Sequence, residues 1–178
     1  MFRKALYFIV SCLSSYVVYI SSNINVEPVK IEEKNLKDSI LIQIEIPSIN
    51  LKGSIYDKNS KSNDINKNIV LMNDSSYPDE EEGVVIIGAH SGIGKIAYFK
   101  NLNKLNVSDE ILIYYNGIQY RYYVKNIYLD AKDGSIIINN YNKKRKLYLY
   151  TCNPNDKSNY LIVVAEQKIW KYSDFIFY

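Results

Sequence analysis

The stretch EILIYYNGIQYRYYVKNIYL, residues 110–129, decides the fold class. Apolar and polar side chains alternate through both of its halves, with the two-residue period of a half-buried β-strand. The halves meet at Asn116-Gly117, a dipeptide that readily adopts the positive φ angles of a two-residue hairpin turn. The stretch therefore predicts two antiparallel strands, and the 18 tyrosines of the chain are residues that strands favour.

Further strand-like runs, separated by polar loops, lie on both sides of this hairpin. Upstream they are ILIQIEI and LKGSIYD, separated by a Pro-Ser break, then IVLM and GVVIIGAH; downstream they are GSIIINNYNKKRKLYLYTC and NYLIVVAEQKIW. The segment SGIGKIAYFKNLNKL has Phe99, Leu102 and Leu105 at three-residue spacing, which predicts a short helix packed by one face. About eight strands with one or two short helices predict an all-β barrel or sandwich, and a closed barrel would leave no exposed edges.

The first 39 residues differ in composition from the rest of the chain. Residues 1–22 carry Arg3 and Lys4, followed by an uncharged apolar run to Ile20, which predicts a single-pass membrane anchor or a signal peptide. Bulky residues after this run offer no clean cleavage site, which favours the anchor. With the cationic end inside, a polar linker over residues 23–39 and a domain over residues 40–178 are expected outside the cell membrane.

Charge and cysteine usage exclude several classes of protein. The net charge of +3 comes from interleaved Lys, Glu and Asp, so the sequence predicts no nucleic-acid surface. Of the two cysteines, Cys12 lies in the apolar N-terminal run and Cys152 in the domain, which makes a disulfide framework unexpected. The acidic run at residues 79–82 has the ligand type that calcium prefers, although acidic surface loops are ordinarily just solvated.

The single histidine of the chain and the single cysteine of the domain occupy matching places. His90 ends the run GVVIIGAH and Cys152 ends the run KLYLYTC, 62 positions later (152 − 90 = 62). If both strands end at the same rim of a barrel, thiol and imidazole lie in one groove. The imidazole can then activate the thiol as a nucleophile and protonate a departing amine. Taken singly, such a cysteine is more often a small core residue, and such a histidine a surface or hydrogen-bonded group.

These residues resemble the sortase family of Gram-positive bacteria. YLYTC, ending at Cys152, is similar to the family's Thr-Leu-x-Thr-Cys strand end, with Tyr148 as a departure; VVIIGAHSG is similar to its Gly-His strand end, with Ala89 inserted before His90. IEIPSINLKGSIYD, AYFKNLNKL and LIVVAE are similar to the family's opening segment, to the helix after its histidine and to its last strand. The resemblance covers about residues 41–168, the whole predicted domain.

The resemblance implies a fold and a reaction. The fold is a closed eight-stranded sortase-like β-barrel held outside the membrane, and the reaction is a peptidase-like transpeptidation that needs no metal or organic cofactor. Cys152 would attack the threonine carbonyl of an LPxTG-like sorting signal to form a thioester, with His90 as acid and base. An amine of a cell-wall precursor or of a pilin would then accept the protein.

One departure concerns an arginine that sortases carry at the start of the last strand, where this sequence has Asn159-Tyr160. Lys157 is the predicted substitute, with the Asn159 amide, the Tyr160 hydroxyl and main-chain N–H groups as neutral alternatives; Arg121 and Arg145 lie on segments that do not match. The missing arginine leaves two hypotheses, a slow enzyme with another donor or a membrane-anchored sortase-like binding domain without turnover. A papain-like or cell-wall amidase is disfavoured because its cysteine precedes its histidine.

Overall fold

The computed structural model describes residues 39–133, 138 and 144–168. The predicted anchor, almost all of the predicted linker and the residues after 168 lie outside this part of the chain, so the predicted domain boundaries stay predictions. The described residues form eight strands, β1 (Ile40–Ile46), β2 (Leu51–Tyr56), β3 (Val70–Leu71), β4 (Val84–Gly88), β5 (Glu110–Tyr115), β6 (Ile118–Ala131), β7 (Lys146–Cys152) and β8 (Asn159–Gln167). Two 3₁₀ helices of three residues each, Pro47–Ile49 and Leu102–Lys104, are the helices of the described residues.

The strands form one sheet in the order β2-β1-β5-β6-β8-β7-β4-β3. All neighbours in this order are antiparallel except β4 and β7, which are parallel. A single parallel bridge between Ile55 and Ile69 brings the two ends of the sheet together, so the barrel is nearly closed. The predicted all-β fold with an eight-stranded barrel is confirmed.

The predicted hairpin is present at residues 110–131 as β5 and β6. Its turn residues Asn116 and Gly117 have φ angles of 50° and 75°, the left-handed conformation that a tight turn between twisted strands requires. Tyr115 pairs with Ile118 directly across this turn. The two turn residues therefore fix the register of both strands.

The core lies inside the barrel and takes alternate residues from the strands. Ile42, Ile44 and Ile46 of β1 are between 0% and 1% exposed, which shows the two-residue period that the sequence predicts. The predicted short helix is one 3₁₀ turn, and the three apolar side chains on which that prediction rests are buried against the same core: Phe99, Leu102 and Leu105. Burying a side chain of this size stabilises a fold by about 1.5–3 kcal/mol.

In the part of the chain that the structure describes, no helix is both long and apolar enough to cross a membrane.

Candidate active site

The parallel pairing of β4 with β7 brings the ends of two strands to the same edge of the sheet. Their paired Cα atoms run from Val84 opposite Lys146 to Gly88 opposite Tyr150, a constant offset of 62 residues (150 − 88 = 62). His90 and Cys152 are separated by the same number of residues in the sequence. Two residues beyond the last paired positions, the register therefore sets these two residues opposite each other.

The Cys152 side chain lies on the outer face of the barrel. Leu147 and Leu149 of β7 point into the core, whereas Tyr148 and Tyr150 belong to a separate cluster on the outer face. Since successive side chains of a strand point to opposite faces, Cys152 shares the outer face with the two tyrosines. The thiol is free and partly buried.

A groove of about 790 Å³ opens at this edge of the sheet, and both His90 and Cys152 line it. Its other walls include the loop after β4, at residues 91–94, and three lysines: Lys100, Lys132 and Lys157. A groove of this volume falls in the range of sites that bind small ligands or short peptide segments. The structure thus brings the two residues singled out by the sequence to one open site.

Two side-chain hydrogen bonds tie the ends of β4 and β7 together around this groove. The Thr151 hydroxyl donates to the Ala89 carbonyl at 2.7 Å, and the Ser91 hydroxyl donates to the Cys152 carbonyl at 2.5 Å. Ala89 and Ser91 flank the histidine on both sides in the sequence. These bonds therefore fix the main chain on either side of the imidazole relative to the main chain of the cysteine.

Lys132 lies beside the thiol, although no motif or local pattern in the sequence singles it out. Its ammonium nitrogen Nζ donates to Cys152 Sγ at 3.1 Å and lies 5.0 Å from the centroid of the Tyr160 ring. The Lys132 main-chain N–H donates to the Ser158 carbonyl at 3.0 Å. A hydrogen bond to sulfur, an aromatic face and a main-chain anchor together place one positive charge at the groove floor.

The register of three strands explains how Lys132 reaches the sulfur. In the β7–β8 pair Cys152 is opposite Tyr160, and in the β6–β8 pair Tyr160 is opposite Asp130. Lys132 follows Asp130 by two residues and so continues on the same face. Pairing of β6 with β8 was the signal that could have identified Lys132, but no local pattern in the sequence shows which strands become neighbours.

The other candidate donors near β8 have different surroundings. The Lys157 side chain lines the groove and is exposed. The Asn159 side-chain amide donates to the Asp156 carboxylate at 2.7 Å within the loop before β8. The Tyr160 ring packs edge-on against Tyr150, with 6.1 Å between ring centroids.

The two arginines and the acidic run also have defined contacts. Arg121 forms an ion pair with Glu110 at 3.1 Å, and Arg145 donates to the main-chain carbonyls of Asp79 and Glu80. Within residues 39–133, 138 and 144–168, no group of three or more His, Cys, Asp or Glu side chains is arranged to hold a metal ion.

A nearly closed β-barrel with a free thiol and an imidazole at the ends of two parallel strands is an arrangement in which a cysteine can act as a nucleophile. The model of the sortase domain matches residues 44–168 of this sequence, which is well over half of the chain. The chain belongs to the sortase family. The resemblance drawn from its motifs is thereby confirmed.

The individual relatives have low sequence identity to this chain. Sortase D of Bacillus subtilis (strain 168) is 27% identical over 111 residues, which cover 62% of this chain and 53% of the relative, so this chain spans about half the length of that protein. Sortase A from Corynebacterium diphtheriae, a lid mutant, has a TM-score of 0.66 and 23% identity over 76% of this chain and 74% of its own, which shows the fold alone. Sortase C1 of the GBS (group B Streptococcus) pilus island 1 has a TM-score of 0.63 and 25% identity over 74% of this chain and 67% of its own.

Proposed function

We propose that this protein is a cysteine transpeptidase that cleaves an LPxTG-like sorting signal through a thioester on Cys152. The observation that carries the proposal is the β4–β7 register, which sets His90 opposite Cys152 at an open groove. A peptide segment fits such a groove, and a partly buried thiol on its wall is accessible to a bound carbonyl.

In the first half of the proposed reaction, the Cys152 thiolate attacks the backbone carbonyl carbon of the threonine, with His90 as imidazolium. A carbon–sulfur bond forms, and the carbonyl π electrons move to oxygen. When the carbonyl reforms, the carbon–nitrogen bond breaks, and the departing amine takes the proton of the imidazolium. The products are a thioester, a neutral imidazole and the released C-terminal peptide.

In the second half, an amine attacks the thioester, and His90 accepts the proton that this amine loses. The carbon–sulfur bond breaks and returns Cys152 as a thiolate, so the two residues end in their starting states. The proposed acceptors are an amine of a cell-wall precursor or a pilin lysine. The pilin acceptor draws support from the similarity to a sortase whose description places it in a pilus island.

We further propose that the enzyme is a single-pass protein of the cell membrane with its barrel outside. The support is Arg3, Lys4 and the uncharged run up to Ile20. Protease added to intact protoplasts should digest the barrel. Full protection of the barrel in intact protoplasts, with digestion after lysis, would contradict this topology.

A second hypothesis, a sortase-like domain that binds sorting signals without turnover, is favoured by one observation. Tyr160 stands at the start of β8, where the family resemblance leads to the expectation of an arginine. Loss of one donor to a developing oxyanion typically costs about 10² to 10³ in turnover. The two hypotheses differ in whether a covalent intermediate forms.

The discriminating experiment uses the full-length chain in detergent and a library of LPxTG-like peptides. Intact-mass spectrometry should find an acyl adduct on Cys152 that hydroxylamine removes, as expected of a thioester. Cys152→Ala is the matched control and should give no adduct. If peptides bind to the wild-type chain but no adduct or cleavage product forms with any of them, the binding hypothesis replaces the enzyme.

A further inference from the structure

We propose that Lys132 supplies the positive charge of this active site and takes the place of the arginine that sortases carry at the start of the last strand. The catalytic half of this inference rests on the proposed function. The placement of the charge beside the thiol does not. The two halves therefore have separate tests.

The contact that carries the inference is the 3.1 Å hydrogen bond from Lys132 Nζ to Cys152 Sγ. An ammonium at this distance stabilises a thiolate, both through its charge and through a charge-assisted hydrogen bond. Lys132 is partly buried, so its charge is less screened by water than that of a fully exposed lysine. Among the residues that the structure describes, Lys132 is the one whose side chain donates a hydrogen bond to this sulfur.

Strand β8 explains how a lysine that directly follows β6 can reach a sulfur on β7. Tyr160 is the Cα partner of Cys152, and its ring supports the Lys132 ammonium at 5.0 Å. A long cationic side chain at position 160 would reach over the same part of the groove. The cation thus comes from one strand further along the sheet, and an aromatic ring occupies the position that the family's arginine would take.

During the proposed reaction the Lys132 charge also interacts with the substrate carbonyl oxygen. When the thiolate attacks the peptide carbonyl, its negative charge moves to the carbonyl oxygen, which lies next to the newly bonded sulfur. The Lys132 ammonium, already beside that sulfur, can then donate to the oxyanion without a large rearrangement. It keeps its proton throughout, so His90 remains the group that transfers protons. Such fixed positive charge stabilises a transition state because it needs little reorganisation.

Other charged groups lie near Lys132. Hydrogen bonds from Ser158, and to a smaller extent the Lys132 charge, hold the pKa of the Asp156 carboxyl below its ordinary value. Asp130 lies two residues before Lys132, near the end of β6. Lys100 and Lys157 line the same groove, but both are exposed. Lys157 therefore provides a matched control, because its removal deletes the same charge from the same groove without deleting the contact to sulfur.

The first test measures charge at the thiol and needs no substrate. Cys152 of the full-length chain is alkylated with iodoacetate, which is anionic, and with iodoacetamide, which is neutral and of similar shape. We expect Lys132→Met to lower the iodoacetate-to-iodoacetamide rate ratio by about tenfold, because a charge next to the thiol attracts the anion. Lys132→Arg should keep the ratio near that of the wild type, and Lys157→Met should change it by less than about twofold.

An unchanged ratio in Lys132→Met would overturn the inference, whatever the peptides show. Lys132→Gln serves as a second neutral variant, so that a folding defect in one of them does not decide the result. Near-ultraviolet circular dichroism and the thermal midpoint identify variants that remain folded. If the ratio falls equally in Lys157→Met, the charge belongs to the groove in general and the assignment to Lys132 is wrong.

The second test measures turnover of a peptide that the wild-type chain cleaves. We expect Lys132→Met to lower kcat by about 10² to 10³ with a much smaller change in KM, because the interaction strengthens only as the oxyanion forms. Lys132→Arg should recover most of this loss. A fall in the alkylation ratio with unchanged kcat would overturn the catalytic half, as would a hydroxylamine-resistant adduct on Lys132, which would make it a nucleophile. A wild-type chain that forms no thioester, yet shows the expected ratios, contradicts the proposed function and leaves the charge assignment standing.

Discussion

The two sides of the Cys152 thiol are held in different ways. On the β4 side the contacts run to the main chain, since the Phe99 N–H donates to the His90 carbonyl at 2.9 Å and the Ser91 hydroxyl donates to the Cys152 carbonyl. On the β6–β8 side the sulfur is met by the end of a long side chain, that of Lys132, with an aromatic ring beneath its ammonium. The β4 side therefore holds the main chain in place, whereas the β6–β8 side places a positive charge beside the sulfur.

This difference predicts how substitutions on each side act. A hydrogen bond to a buried main-chain group contributes to stability, because losing its partner leaves a polar group without water or protein. A lysine that reaches a groove through a flexible chain contributes little to folding but changes the local potential. We therefore expect loss of a β4-side hydrogen bond to affect stability and geometry, and loss of the Lys132 charge to affect reactivity alone.

The largest expected effect concerns the two predicted catalytic residues. Cys152→Ala removes the nucleophile and His90→Ala removes the group that transfers protons, so each should lower peptide transfer by at least about 10⁴. The loss in His90→Ala should exceed the loss in Lys132→Met by tenfold or more. Initial rates with a cleavable peptide, measured on all three variants at equal concentration, test this order.

Both side chains line an open groove rather than the core, so both variants should keep the thermal midpoint of the wild-type chain. Near-normal transfer in either variant would show that the proposed pair is wrong. If both variants unfold instead, the residues are structural, which is the interpretation that each of them receives when considered singly. A loss in His90→Ala no greater than in Lys132→Met would remove the distinction between the two sides.

The groove shows which parts of a site a sequence can predict. His90 and Cys152 each end their own apolar run, so both were visible locally, and the equal offset of 62 residues between β4 and β7 then sets them opposite each other (150 − 88 = 62). The hairpin at Asn116 is likewise predicted by neighbouring residues alone. The position of Lys132 cannot be predicted in this way, because it depends on β6 pairing with β8, two strands that are separated by β7 in the sequence. Sequence alone favours Lys157, because it measures distance only along the chain and Lys157 is the cation nearest to Tyr160 by that measure.

The second prediction concerns the β4 side. Thr151 is 2% exposed, and its hydroxyl donates to the Ala89 carbonyl. Thr151→Val keeps the shape and removes the donor, so the free energy of unfolding should fall by about 1–3 kcal/mol in urea titrations. Thr151→Ser keeps the hydroxyl and is the control for the hydrogen bond. If Thr151→Val is as stable as the wild type, the two strand ends are not held together by this bond, and the comparison between the two sides fails.

The smallest expected effect is a change in the pH dependence of stability at Tyr150, which contacts both sides of the site. Its ring fills the space beside Gly88, where an added Cβ would lie 2.5 Å from ring atoms, and it also packs against Tyr160. Burial, with smaller contributions from Tyr160 and Cys152, raises the pKa of Tyr150 to about 12. The neutral hydroxyl is therefore favoured in the folded state.

Because the folded pKa lies above the unfolded value of about 10, the contribution of Tyr150 to stability is complete below about pH 10 and is lost as the pH rises towards 12. Tyr150→Phe has no hydroxyl to titrate, so it should lose less stability than the wild type between about pH 8 and pH 11. Urea midpoints of both proteins across this range measure the difference. Tyr77→Phe is a useful comparison, since burial and a hydrogen bond to Asp57 also raise the pKa of Tyr77 to about 12, away from the groove. Parallel stability curves for the wild type and Tyr150→Phe would show that the ring lies in a wetter environment than this packing indicates, and that it does not link the two sides.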